Sequence, residues 1–306
     1  MDFFSMLLKW LNSLPGAAAL GMVWGIMAIG VYITYKILDV ADLTVDGTIC
    51  TGAATCALFI TQGFPIPVAI IAAVIAGMLA GFVTGILHTL LGIPAILAGI
   101  LTQLMLWSVN LKIMGTPNIS IPNRKYDLWV SLGDPWGSIL VLAIFIAVLI
   151  GILYWFFGTE AGSAIRATGN NLQMSKAQGI NTDFTKILGL VISNGVVGLS
   201  GALLAQYNSF ADISMGNGAI VTGLAAIIIG DVVVSRFARN FALRLVGVIV
   251  GGIIYYFVYQ TIIFIGLDTD LLKLLAAVVV AIFLAAPYVK KRYFKKTKPS
   301  GGGKNA

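Results

Sequence analysis

The 306-residue chain is 59% hydrophobic and 10% charged, with a mean hydropathy of +0.97. Soluble domains carry about 25% charged residues, so a soluble fold is excluded and the composition is that of a polytopic, all-α membrane protein. The formal net charge of +7 is no nucleic-acid signature, because seven basic residues crowd the C-terminal tail, "KKRYFKKTKPSGGGKNA"; a basic tail after a final span is the ordinary positive-inside pattern.

The opening stretch, "MDFFSMLLKWLNSLPG", is short and amphipathic and reads as an interfacial segment, 1–16. Lys9, Asn12 and Ser13 break its apolar run, which argues against a cleaved signal peptide despite the following Ala17–Ala19. A helical span needs about 20 apolar residues. Such runs are predicted near 17–38, 66–88, 94–114, 138–157, 185–207, 241–265 and 270–288, with shorter ones near 47–61 and 218–234. That makes about nine membrane segments (8–10). With the tail in the cytoplasm, the N-terminus lies outside, and fourteen of the nineteen Lys and Arg fall on the cytoplasmic side. Cys50 and Cys56, six residues apart, do not share a helix face and read as two free thiols. His88 is the sole histidine, and no Cys/His cluster marks a metal site.

Two stretches resemble one another: "ADLTVDGTICTGAA" from Ala41 and "ADISMGNGAIVTGLAA" from Ala211. With one inserted residue, Asp46-Gly47 aligns with Asn217-Gly218 and Thr51-Gly52 with Thr222-Gly223. Chance is the competing explanation, since Gly, Ala and Thr abound in membrane helices. Against it, each copy follows a full span and precedes a short one, and an odd number of spans separates them, which makes the repeats inverted. The expected organisation is a first repeat over 17–115, an outer loop and connecting span over 116–157, a cytoplasmic segment over 158–184, a second repeat over 185–288 and the basic tail over 289–306. A helix broken within lipid frees backbone groups that only protein or a water-filled cavity can satisfy. Asp42, Asp46, Gly47, Thr48, Asp212, Asn217, Gly218 and Thr222 are therefore candidates for a translocation path. Asp46 and Asn217 also suit the N-caps of the short helices that follow them, and a capped half-helix still points its positive end into the path.

Between two apolar runs lies "TEAGSAIRATGNNLQMSKAQGI", Thr159 to Ile180. It reads as two short amphipathic helices, "EAGSAIRAT" and "LQMSKAQ". Gly169 is read as the bend, Asn170-Asn171 as the second helix's cap and Gly179 as its C-terminal glycine. Ile165, Leu172 and Met174 form an apolar side, and Arg166, Gln173 and Lys176 a polar one. Such a segment can lie along the membrane and present one side to a soluble partner; the plainer alternative is an ordered surface loop.

"GSAIRATGNNLQMSKAQGI" resembles the cytoplasmic coupling segment of ABC-importer permeases of the ribose and branched-chain amino-acid class. Gly162, Ala164, Arg166, Ala167, Gly169, Asn171, Gly179 and Ile180 occupy the places of that pattern, and Ser175 stands where Ala is common. "GNGAIVTGLAAIIIGDVV" (216–233) resembles the class's second signature and "DLTVDGT" (42–48) its first-half partner. "GILHTLLGIPAILAGILTQ" (85–103) and "NLKIMG" (110–115) look most like tryptophan/tyrosine uptake permeases. The short N-terminus departs from the ribose type, which has a further span, and is similar to the branched-chain type. The resemblance implies a bacterial cell-membrane importer. A binding protein delivers a small solute, two permease chains form the path, and a cytoplasmic ATPase dimer engages Glu160, Arg166, Gly169, Asn170, Asn171, Lys176 and Gly179. An aromatic amino acid is implied as solute by the resemblance alone; nucleosides, sugars and branched-chain amino acids stay open. No G-x-x-x-x-G-K-[ST] occurs, so this chain is expected to bind no cofactor, with ATP and Mg in the partner ATPase.

An ion-coupled secondary transporter is the rival reading, with Asp42, Asp46 or Asp231 as coupling carboxylate. A membrane enzyme is disfavoured by the lack of a His/Asp/Ser cluster. The outer aromatic residues Tyr126, Trp129, Trp136, Tyr207 and Phe210 fit an interfacial belt and carry no solute assignment.

Overall fold

The computed structural model describes residues 3–123, 125–234 and 240–264, with four isolated positions beyond them (Leu274, Val278, Ala281 and Ala285). In chain order the elements are α1 (Phe3–Tyr32), which runs on into a π-helical turn (Ile33–Ile37), then α2 (Val45–Thr61), α3 (Ile66–Thr89), α4 (Ala95–Met114), β1 (Asn118–Ser120) and α5 (Pro135–Gly158). They continue with α6 (Glu160–Asn170), α7 (Leu172–Ala177), α8 (Thr182–Asn208), β2 (Phe210–Asp212), α9 (Ala219–Val234) and α10 (Phe241–Phe264). The segment predicted at 270–288 lies outside the described residues apart from those isolated positions.

Among the described residues, six helices are long and apolar enough to cross a membrane: α1 with its π-turn, α3, α4, α5, α8 and α10. The helices α2 and α9, with 17 and 16 residues, are about 25 Å long at a rise of 1.5 Å per residue and fall short of the hydrocarbon core of about 30 Å. The N-terminal segment differs from the sequence expectation. Residues 3–16 are the first turns of α1 and no break follows them; Pro15 sits inside the helix. Hydrogen bonds tie this part to the bundle: Trp10 Nε1 donates to Thr261 Oγ1 (3.3 Å) and the Tyr207 hydroxyl to the Gly16 carbonyl (2.8 Å).

The bundle is built around α1 and α8. Of their most apolar stretches 72% is buried, against 28–33% for α3, α4 and α5, which place them at the centre and the other three at the rim. Lipid gives no hydrophobic drive for helices to associate, so close backbone approach and inter-helix hydrogen bonds must hold them. Both occur here. Side chains at Gly77 or Gly81 of α3 would strike the α8 carbonyls of Asn194 and Leu190. The hydroxyls of Ser193 and Ser200 on α8 donate to the carbonyls of Gly30 (2.8 Å) and Val23 (2.7 Å) on α1.

The α8 helix also measures the distance between two faces. At one end the Thr185 hydroxyl shares a hydrogen bond with Thr168 of α6 (2.9 Å). At the other, α8 leads into β2, which pairs antiparallel with β1 in the register Asn118↔Asp212, Ile119↔Ala211 and Ser120↔Phe210. Twenty-seven residues separate these faces by about 40 Å. α6 and α7 occupy one face, the small sheet the other.

Candidate functional site

The site is built where α1 and the short helix α2 part. Beyond Tyr32 the helix widens into the π-turn, the Leu38 N–H donating to the Ile33 carbonyl (3.0 Å) and the Val40 N–H to that of Thr34 (3.0 Å). Asp39 then adopts a left-handed conformation, φ 55°, unusual for a residue with a side chain. The chain doubles back at Asp42, whose Oδ1 accepts the Thr44 N–H (2.9 Å) and whose Oδ2 accepts Asn194 Nδ2 (2.7 Å). The Thr48 hydroxyl donates to Asn194 Oδ1 (2.7 Å). Thr44, Thr84 and Thr102 continue the polar chain, at 2.7 and 3.0 Å. Asn194 stands near the midpoint of α8, so this network, with Asp42 only 3% exposed, lies halfway between the two faces. A carboxylate so placed is costly unless paired, and its oxygens are fully engaged.

From that midpoint α2 runs toward the sheet face: the Cys50 thiol approaches the Asp212 and Ile213 carbonyls (3.4 Å each), and the Tyr126 hydroxyl donates to the Thr61 carbonyl (3.4 Å). The other short helix, α9, runs the opposite way, and near its end Asp231 pairs with Lys36 beside the face that carries α6 and α7 (3.0 Å). Their N-termini meet. Asp46 Oδ2 accepts the Gly218 N–H (3.0 Å) and Oδ1 accepts that of Ile220 (2.9 Å). Gly216 lies against the Asp46 carbonyl so closely that any side chain there would collide with it. The expectation that Asp46 caps its own helix is thus corrected: Thr44 precedes α2 with no side-chain cap, and the Asp46 carboxylate caps α9. Two orphan N–H groups and the positive end of a helix dipole favour a carboxylate there.

The candidate path residues do not share one environment. Asn217 and Gly218 are exposed and Asp46 and Thr222 half-buried. Gly47 packs on Leu106 of α4, and Thr48 is buried against Asn194. Asp212 lies in β2 at the sheet face, where its Oδ1 accepts the Ser214 N–H (2.8 Å) and the Ser214 hydroxyl, and Oδ2 accepts Asn118 Nδ2 (3.4 Å). These bonds, chiefly from the Ser214 hydroxyl, hold its carboxyl below the usual carboxylate range. Asp42 and Asp212, equivalent in the two resembling stretches, make the same i to i+2 bond to Thr44 and Ser214.

On the face that carries α6 and α7, the Thr159 hydroxyl caps α6 by accepting the Gly162 N–H (3.4 Å). Ile165 is fully buried, while Glu160, Arg166 and Lys176 are exposed. Gly169 is not the bend. α6 continues through it to Asn170, and the break falls at Asn171, whose extended backbone and Oδ1, accepting the Met174 N–H (3.0 Å), start α7. Gly169 is needed for approach instead: a Cβ there would strike the Ile37 carbonyl at the end of the π-turn. Gly179, at φ 80°, closes α7 as expected, with the Ile180 N–H donating to Ser175 (3.0 Å). Met174, read as part of the apolar side, is 58% exposed; its neighbour Ser175 is buried instead.

Asn194 escaped the sequence reading. It is a strongly polar side chain inside an apolar span, "LVISNGVVG", which alone marks it as a candidate. Asn110, also in an apolar run, is buried against the first turn of α2, and its Oδ1 has no hydrogen-bond partner among the described residues. Among those residues no group of three or more His, Cys, Asp or Glu could hold a metal.

Comparison with known proteins adds four findings. The family described as "Branched-chain amino acid transport system / permease component" matches residues 14–285. The chain is 42% identical over 264 residues to the tyrosine transport system permease protein of Clostridioides difficile, covering 86% of this chain and 88% of that one. It is 28% identical to the autoinducer 2 import system permease protein LsrC of Salmonella, over 62% of this chain and 55% of that protein. Among solved structures, PsaBC from Streptococcus pneumoniae in complex with Fab aligns with a TM-score of 0.52 over 94% of this chain and 99% of that chain. At 16% identity that likeness concerns the fold alone.

Proposed function

Because the chain belongs to the branched-chain amino acid transport system / permease component family, a multi-pass membrane permease of the ABC type, we propose that it is the transmembrane subunit of an ATP-driven importer for an aromatic amino acid. A binding protein outside the cell hands over the solute. Two copies of the chain line the path, and a cytoplasmic ATPase dimer engages α6 and α7. The 42% identity to a tyrosine permease over most of both chains supports the solute class.

The observation that carries this reading is the contact between Gly169 and the Ile37 carbonyl. It sets an exposed, capped, amphipathic helix pair directly on the end of the π-turn that precedes the first short helix. A soluble partner that pushes α6 therefore acts on the break and not on a peripheral loop. The exposed Asn217 and Gly218, level with the middle of the bundle, need a polar surrounding that lipid does not give. A water-filled path shared with a second copy supplies it. With the coupling face in the cytoplasm, the sheet faces outward toward the binding protein and the N-terminus lies outside. The carboxylates an ion-driven carrier would use are engaged otherwise: Asp42 with Asn194 and Thr44, Asp46 with α9, Asp231 with Lys36.

Cysteines placed at Glu160 and Lys176 test the reading. In whole cells they should resist a membrane-impermeant maleimide, react in inverted vesicles, and cross-link to a co-expressed ATPase. Labelling from outside the cell would refute it.

A further inference from the structure

The helix α9 is held at both ends by the first half of the chain. Asp46 accepts the N–H groups of its first turn, and Asp231 in its last turn pairs with Lys36. Lys36 belongs to the π-turn, and the next residue, Ile37, supplies the carbonyl on which Gly169 of α6 rests. One peptide unit therefore separates the coupling segment's contact from the ionic tie to the second broken helix. Beside this junction lies a cavity of about 620 Å³ lined by Tyr35, Lys36, Asp39, Arg166, Asn170 and Arg244. It leaves the π-turn room to shift.

The parts suit a transmitting role. A π-turn already departs from α-helical register and recurs at functional positions, so it can rewind without disrupting α1. A 16-residue helix such as α9 is stiff along its axis and moves as a body. The side chains of Lys36 and Asp231 are 43% and 40% exposed. A pair that open contributes little to stability, so its worth lies in what it connects and in the ease with which it breaks and re-forms.

We propose that the Lys36–Asp231 pair is the link through which movement of the coupling segment reaches α9 and, through α9, the junction of Asp46 with Gly218 and Ile220. The proposal rests on the reading of the chain as an ATP-driven permease. Both are positioning residues; neither is assigned a contact with solute.

The test uses the assembled transporter carrying Asn217→Cys as reporter. Asn217 is exposed at the α9 N-terminus, and the native Cys50 and Cys56 are buried. Maleimide labelling of the reporter is compared with and without ATP and vanadate. In the parent the two rates should differ by about fivefold or more, the lower end of ordinary coupling between sites. Lys36→Asp or Asp231→Lys alone should bring the two rates to within twofold, about the precision of a labelling rate, whereas the charge-swapped double variant should restore the difference. Lys36→Gln and Asp231→Asn, which lose the pair without adding repulsion, should behave as the reversed singles do. A nucleotide response that survives in the neutral variants, or a swap that restores nothing while the protein still folds and hydrolyses ATP, would overturn the link alone. A parent that shows no nucleotide response would remove the ATP-driven reading, and the link with it.

Discussion

The carboxylate of Asp46 accepts the backbone N–H groups of Gly218 and Ile220, so the first turn of one broken helix completes the first turn of another that lies 172 residues further along the chain. The two short helices run in opposite directions from this point, toward the sheet face and the face that carries α6 and α7. Neither crosses the bundle alone. Together they traverse it with a break in the middle, the place where a membrane protein can present polar backbone to a solute.

Removing that cap should be felt at α9. Loss of an N-cap carboxylate costs about 0.5–2 kcal/mol. Asp46→Ala should lower thermal stability by that amount and speed hydrogen exchange in the first turn of α9, while Asp46→Asn, which keeps an acceptor oxygen, should cost less. Equal exchange rates at Ile220 to Gly223 in Asp46→Ala and parent would count against the cap.

The Asp42–Asn194 pair should be the more sensitive of the two. Asn194→Leu leaves the buried Asp42 with the Thr44 N–H as its remaining donor, and removing one partner of a buried hydrogen bond costs about 1–3 kcal/mol, more when the group left behind is charged. Folded yield in detergent should fall sharply. Asn194→Asp should be as damaging through like-charge repulsion, and the double exchange Asp42→Asn with Asn194→Asp should recover much of the yield by restoring one charge and one amide. A double exchange no better than the singles would argue that the pair is not the cause.

Gly169 should tolerate nothing larger. Alanine there meets the Ile37 carbonyl, so α6 must lift from the π-turn. ATP hydrolysis by the assembled transporter should persist while uptake falls by about tenfold or more, the scale of a coupling loss of roughly 1.4 kcal/mol. Gly151 of α5, whose Cβ would meet nothing within 4 Å, is the control and should accept alanine without effect.

Asp212 gives a pH dependence at the sheet face. Hydrogen bonds from Ser214 and Asn118 hold its carboxyl below the ordinary range. The contribution is therefore complete above the unfolded value of about 3.9 and is lost as pH falls through the lower folded value. Amide protection across β1 and β2, corrected for the intrinsic pH dependence of exchange, should be flat from neutral pH down to that range and fall below it. Ser214→Ala should move the onset upward. An onset unchanged by that substitution would separate Asp212 from the effect.

The features with local signatures were legible in the sequence. Apolar runs gave the long helices, and the repeated Ala-Asp-x-Thr/Ser stretch marked both breaks, because each Asp makes the same short-range bond. Asn171 and Gly179 announced α7 by ordinary capping. What stayed hidden were pairings set by the fold. Nothing near Asp46 indicates that its partner is Gly218, since the local pattern suits a cap for its own helix equally well. Gly169 was read as a bend because a missing Cβ frees the backbone; the same missing Cβ also admits close contact, and only the neighbouring π-turn decides between them. The short amphipathic pattern of 1–16 suggests a separate segment, but these residues continue into α1 without a break. Asn194 lies among apolar neighbours, and its polarity within a span is the clearest single pointer to the buried network.

The central claim, that a partner ATPase drives solute through this chain, is tested most directly by tyrosine uptake into proteoliposomes holding the chain with its ATPase and binding protein. ATP and Mg on the ATPase side, with no ion gradient, should drive accumulation that vanadate abolishes, and an imposed proton or sodium gradient without ATP should drive none. Accumulation on the gradient alone would contradict the account.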